Sequence, residues 1–107
     1  MYKSMYKNNL AFKFKCLLKE LDETINEIDV AIQKYRKGSL VIQNDYAYIK
    51  HYENGKMIST YVGKHLSKKD IEDLRRELKN HRTLENRRNM YFKERDELDK
   101  LIARYEK

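Results

Sequence analysis

The stretch Tyr46-Ala47-Tyr48-Ile49-Lys50-His51-Tyr52-Glu53-Asn54-Gly55-Lys56-Met57-Ile58-Ser59-Thr60-Tyr61-Val62 decides the fold. Both of its halves repeat at period two, as strands do when successive side chains point to opposite faces. Between them stands Asn54-Gly55, the pair that best tolerates the two positive φ angles of a type I′ turn, so the halves are expected to fold into a hairpin. In a two-residue-loop register Glu53 faces Lys56, Lys50 faces Ser59, Ile49 faces Thr60 and Tyr48 faces Tyr61. One face then carries Ala47, Ile49, Ile58 and Val62, with His51 near its turn end. The other carries Tyr46, Tyr48, Lys50, Tyr52, Met57 and Tyr61. An isolated hairpin is marginal in water, so the aliphatic face is expected to lie on a helix.

Upstream, Leu40-Val41-Ile42 reads as a short strand and Gln43-Asn44-Asp45 as a turn, placing a small sheet over 39–63. Before it, Phe14, Leu18, Leu21, Ile25, Ile28, Ile32 and Tyr35 recur at alternating gaps of four and three, the seam of a helix that packs on another helix. This spacing predicts a helix over 9–37, behind a basic arm at 1–8, with Asn8 or Asn9 as its cap and Gly38 as its left-handed stop. Downstream, Ser67-Lys68-Lys69-Asp70 resembles a capping box and opens a helix over 67–106, about 60 Å long. Its seam runs Ile71, Leu74, Leu78, His81, then shifts to Leu84, Tyr91, Leu98, Ile102 and Tyr105, a stammer that puts Arg88 and Arg95 on the seam itself. The expected fold is α+β and mostly α. Two long antiparallel helices with coiled-coil packing are joined by a two- or three-stranded antiparallel β-hairpin sheet, in a single domain over 1–107.

Composition agrees with that outline. The chain has 107 residues, no proline, 38% charged residues and a net charge of +7, with a mean hydropathy of −0.98. Absence of proline permits long unbroken helices. At this size folding removes only about 65% of the unfolded surface, which argues against a deep catalytic cleft. Cys16 is the sole cysteine, so no intramolecular disulfide forms, and a reducing setting, the cytoplasm of a bacterial host cell, is expected. No apolar run approaches the roughly 18–20 residues of a membrane span, and the basic residues 1–7 carry no apolar leader segment. Heavy use of Lys, Asn, Ile and Tyr suggests an AT-rich bacterial or phage genome. His51, His65 and His81 fall in separate elements with no metal-ligand spacing, and no glycine-rich phosphate loop is present. The acids Glu20, Asp22, Glu23, Glu27 and Asp29 read as the solvated face of the first helix. No enzymatic activity, metal or cofactor is expected.

The bases are unevenly spread. Residues 1–19 hold five lysines and no acid, among them Lys3 and Lys7, which alternate with Tyr2 and Tyr6. Residues 20–37 net −2, residues 38–66 net +1, and residues 67–107 net +3, from thirteen bases against ten acids. Within the last segment Arg75, Arg76, Lys79, Arg82, Arg87 and Arg88 enclose only two acids, Glu77 and Glu85. Arginine's planar fork and permanent charge suit phosphate, so this run and the basic arm form an electrostatic footprint for nucleic acid. The same run equally fits a salt-bridged, solvated helix face, with Glu72 and Arg76 as neighbours. Tyr46, Tyr48, Tyr52 and Tyr61, with Lys50 among them, form a second candidate surface that stacks bases or anchors a protein partner. Its bland counterpart is structural cover for a small sheet.

The run Tyr48-Ile49-Lys50-His51-Tyr52-Glu53-Asn54-Gly55-Lys56, followed by Tyr61-Val62-Gly63-Lys64-His65-Leu66-Ser67-Lys68-Lys69-Asp70-Ile71, resembles the N-terminal DNA-binding module of phage-type tyrosine integrases. That resemblance implies a sheet entering the DNA major groove, with Lys50, Lys56 and the neighbouring tyrosines near the DNA. It spans only 48–71; the integrase catalytic domain has no counterpart here, and the first helix is foreign to the module. The whole helix–hairpin–helix pattern is also similar to short proteins of phages and mobile elements. The expected function is a non-enzymatic accessory protein binding RNA, DNA or a nucleoprotein complex, in its sharpest form an anti-CRISPR-type inhibitor of a nuclease–RNA complex. The alternative is a structural or adaptor coiled coil that acts by homodimerisation through its long helices.

Overall fold

A computed structural model describes the backbone over residues 2–106 and the side chains over residues 9–105. Helix α1, Tyr2–Ile32, leads into strands β1, Ser39–Gln43, β2, Tyr46–Glu53, and β3, Lys56–Lys64, and helix α2, Lys68–Glu106, follows. The chain is thus mostly α, with its two helices joined by a three-stranded antiparallel sheet of order β1-β2-β3.

Both hairpins close on two residues with positive φ, Asn44-Asp45 (52° and 67°) and Asn54-Gly55 (52° and 78°), a conformation that twists in step with the strands it joins. Glu53 faces Lys56, Lys50 faces Ser59, Ile49 faces Thr60 and Tyr48 faces Tyr61, as the turn chemistry predicts. Beyond that point the register slips: Ala47 faces Gly63 and Tyr46 faces Lys64, leaving Val62 as an extra residue in a β-bulge. Across β1, Leu40 pairs with Ile49 and Ile42 with Ala47. His65, φ 53°, turns the chain out of β3 and donates its backbone N–H to the Asp45 carbonyl at 2.9 Å. Ser67 then accepts the Asp70 backbone N–H on its Oγ at 3.1 Å, capping α2 where the sequence predicts.

Helix α1 departs from its expected limits at both ends. Its backbone is helical from Tyr2, so the predicted basic arm is continuous with it. At the other end it stops at Ile32, five residues before Lys37. There the Lys34 and Tyr35 N–H groups bond the Ala31 and Ile32 carbonyls at 3.2 and 3.1 Å, tightening the ladder to i→i+3 turns that close the helix. Gly38 is therefore no helix stop. Its φ is 128°, and a Cβ there would stand 2.5 Å from the Lys50 carbonyl oxygen, so glycine is what lets the chain enter β1 against β2.

Two compact units divide the chain. The first comprises Met1–Val30 and Glu85–Lys107, in which the two helices pack together. Its buried side chains are Ile25, Ile28, Leu98 and Ile102, on the predicted seams. Arg88 Nη1 donates to Asp29 Oδ1 at 2.8 Å, and Arg95 Nε stands 2.7 Å from Asp22 Oδ1. A step of seven residues up one helix matches seven down the other, which fixes an antiparallel pairing. Phe14 and Tyr105 extend it with ring centroids 5.5 Å apart. Asp22 and Asp29 thus do not belong to the solvated face; they are half-buried because the arginines on the α2 seam need counter-charges.

The second unit is Ala31–Leu84. Its buried side chains are Ile32, Ala47, Ile49 and Leu78, with Ala47 at 1% and Ile49 at 3% exposure. The aliphatic face of the hairpin is thus covered, as two-sided patterning requires. Glu77 on α2 accepts the Arg36 backbone N–H on Oε1 at 3.2 Å and stands 3.8 Å from the Arg36 guanidinium Nε. Among the described residues, no helix is long and apolar enough to cross a membrane.

Candidate functional site

The second unit brings predicted basic residues together in one place. Once Ser67 sets the start of α2, residues three, four and seven apart fall on one stripe of the helix. Arg75, Leu78, Lys79 and Arg82 have that spacing, and they line a groove of about 310 Å³ whose other wall is Gly38, Ser39 and Leu40. Leu78 is buried and anchors the stripe, while the three cations stay exposed. Among the described residues no carboxylate lies within ion-pair distance of Arg75, Lys79 or Arg82. No acid lines the groove, so three positive charges face open space with their donors unspent, an arrangement suited to phosphate oxygens.

The other predicted cations divide differently. Arg76 lies off the groove and stands 3.7 Å from Asp73 on its own helix. Arg88 is withdrawn from the outward basic run by its ion pair with Asp29. Arg87 is exposed and belongs to the first unit. The side chains of Lys3 and Lys7 lie outside the described residues.

The outer face of the sheet is the second cluster. Tyr48 and Tyr61, opposed across β2 and β3, meet edge to face with centroids 5.8 Å apart. Tyr61 also meets Tyr46 at 6.3 Å, and Lys64 Nζ stands 4.9 Å from the Tyr46 ring centroid. Cation–π and tilted aromatic contacts of this kind hold the rings in place while leaving area open. Tyr46, Tyr52, Met57 and Tyr61 are exposed, Tyr48 and Lys50 half-buried, and Lys56 exposed beside the turn. Sequence reasoning counted Tyr46 in this face but left Lys64 out of it. The bulge at Val62 is what sets Lys64 opposite Tyr46, and nothing in a regular two-residue-loop register signals it.

A third concavity, of about 390 Å³, belongs to the first unit. Leucines Leu17, Leu21, Leu98 and Leu101 line it together with Glu20, Glu94 and Glu97. Cys16 is exposed, and no cluster of three metal-ligating side chains occurs among the described residues. No family model, curated protein or solved structure matches this chain.

Proposed function

We propose that the protein is a non-enzymatic nucleic-acid-binding protein that seats phosphates in the Arg75–Lys79–Arg82 groove. The observation that supports this most is the coincidence of three cations, free of carboxylate partners among the described residues, on one helical stripe. An ordinary solvated helix face pairs its charges at i,i+4; here the groove's other lining residues are Gly38, Ser39, Leu40 and Leu78, none of them acidic. The tyrosine face supplies a second, sequence-tolerant mode of contact, since every base has a π-face to stack. The test is a salt titration of the full chain with a fluorescent single-stranded and a duplex oligonucleotide. Three phosphates neutralised give log affinity a slope of about −2 on single strands and about −3 on duplex against log salt. A flat salt dependence, or no binding to either, overturns the proposal.

A homodimeric adaptor is the second reading, and it has its own observation. In the first unit Phe12 is 68% and Met90 61% exposed, and the leucine-lined concavity lies on that unit too. Light scattering across micromolar concentrations separates the two: a concentration-independent monomer removes the adaptor.

A further inference from the structure

The second unit holds another cavity, of about 620 Å³, that none of the predicted phosphate-binding cations lines. Its volume falls within the roughly 300–1,000 Å³ of small-molecule sites. Val62 and the largely buried Ile49 give it an apolar part, while Tyr61 borders it from β3 with its ring turned to the outer face against Tyr48. The bulge lies here too: Val62 is the unpaired extra residue between Tyr61 and Gly63, and bulges of this kind re-aim side chains beside binding sites. Thr60 and His51 line the same space, a hydroxyl and an imidazole that each offer donor and acceptor capacity.

At another wall stand Arg36 and Lys37, from the segment between α1 and β1. Glu77 fixes Arg36 through both its backbone N–H and its guanidinium, so that charge is partly balanced. Glu53 lies 3.6 Å from His51 Nε2, at the turn end. Lys37 has no carboxylate within ion-pair distance among the described residues, and no acid lines the cavity. A cationic wall, an apolar part and two groups able to read a ring edge therefore meet in one concavity. We propose that this cavity takes a single nucleotide unit, its base against Val62 and between His51 and Thr60, and its phosphate at Lys37 and Arg36. The groove at Arg75, Lys79 and Arg82 does not enter this argument. A free nucleotide and the terminal nucleotide of a strand present the same chemistry.

The experiment is amide NMR of the full chain, titrated separately with adenosine 5′-monophosphate, adenosine, inorganic phosphate and a tetranucleotide with and without a 5′-phosphate. Saturable shifts over residues 36–37 and 58–62 with the monophosphate, and roughly tenfold weaker binding of adenosine or phosphate alone, are expected, because each lacks one half of the contacts. Tighter binding of the 5′-phosphorylated tetranucleotide than of the monophosphate identifies a strand end as the source; equal or weaker binding identifies the free nucleotide. Lys37→Ala, at an exposed site outside the regular elements, is expected to weaken the monophosphate about tenfold, the scale of a lost charge-assisted hydrogen bond. Thr60→Val, which keeps a β-branched residue on the strand, is expected to weaken it several-fold. Absence of shifts at 36–37 and 58–62, or unchanged affinity in both variants, overturns the inference. An Arg75→Ala/Arg82→Ala variant that loses oligonucleotide binding but keeps the monophosphate shows the groove and the cavity to be separate sites, so either proposal fails without the other.

Discussion

Arg88 Nη1 donates to Asp29 Oδ1 at 2.8 Å, joining the two helices of the first unit through side chains 28% and 43% exposed. The Arg88 Nε has no partner of its own, so Asp29 is the main compensation for a charge set into an otherwise apolar seam. Removing Asp29 strands that charge, whereas removing both leaves a smaller defect. Asp29→Ala is expected to destabilise by about 1–2 kcal/mol, at the low end for a buried pair because water still reaches both groups. The Asp29→Ala/Arg88→Ala cycle should show a coupling of about 0.5–1 kcal/mol in urea denaturation. Strictly additive single variants would mean that the ion pair contributes nothing measurable.

Gly38 and Gly55 both have positive φ, yet for different reasons. Around Gly55 a Cβ would meet no atom within 4 Å, so Gly55→Ala bears only the conformational cost, about 1 kcal/mol. At Gly38 the Lys50 carbonyl oxygen stands 2.5 Å from the Cβ position, and φ is 128°, a region closed to alanine. Gly38→Ala is expected to cost about 1–3 kcal/mol and to exceed Gly55→Ala. Equal chemical-denaturation midpoints for the two variants would contradict the close approach between the 38–39 segment and β2.

These two glycines also mark what a sequence can and cannot disclose here. Asn54-Gly55 has a local meaning, since the turn needs those angles whatever surrounds it, and the hairpin register followed as far as Tyr48 and Tyr61. Ser67 was legible for the same reason: a cap depends on residues three apart. Gly38 answers to Lys50, twelve positions away, and could only be misread as a helix stop. The end of α1 at Ile32 was hidden likewise, because Lys34, Arg36 and Lys37 suit a helix terminus equally well. Asp22 and Asp29 looked solvated because their partners, Arg95 and Arg88, are at positions only the antiparallel pairing brings near. In the candidate site Arg75, Lys79 and Arg82 shared a stripe by helical arithmetic, but the Gly38-Ser39-Leu40 wall came from the fold.

The Ser67 cap carries its own expectation. Its Oγ takes the Asp70 N–H at 3.1 Å, one of the donors that the first turn of α2 leaves without a helical acceptor. Ser67→Ala is expected to cost about 1 kcal/mol, and Ser67→Asp to retain most of the stability because a carboxylate caps equally well and suits the positive helix end. Thermal melts of the three proteins check the order. A Ser67→Asp variant no better than alanine would rule out capping as the role of this side chain.

The groove predicts a graded response to charge removal. Arg75, Lys79 and Arg82 line it together, while Arg76 lies off it on the same turn of helix, 3.7 Å from Asp73. Phosphate contacts appear in the salt dependence as released counterions, so each groove cation removed should lower the slope on duplex by about 0.9. Arg75→Ala, Lys79→Ala and Arg82→Ala are therefore each expected to flatten the plot by about one unit of slope, and Arg76→Ala by less. All four side chains are exposed, so circular dichroism should report the same fold in each variant. Arg82→Lys distinguishes a point charge from a fork: it keeps the slope, because the counterion count is unchanged, but loses affinity if the guanidinium is bidentate on phosphate. If Arg76→Ala flattens the slope as much as the three groove variants do, the binding is a diffuse attraction to a basic helix and the groove has no special part in it.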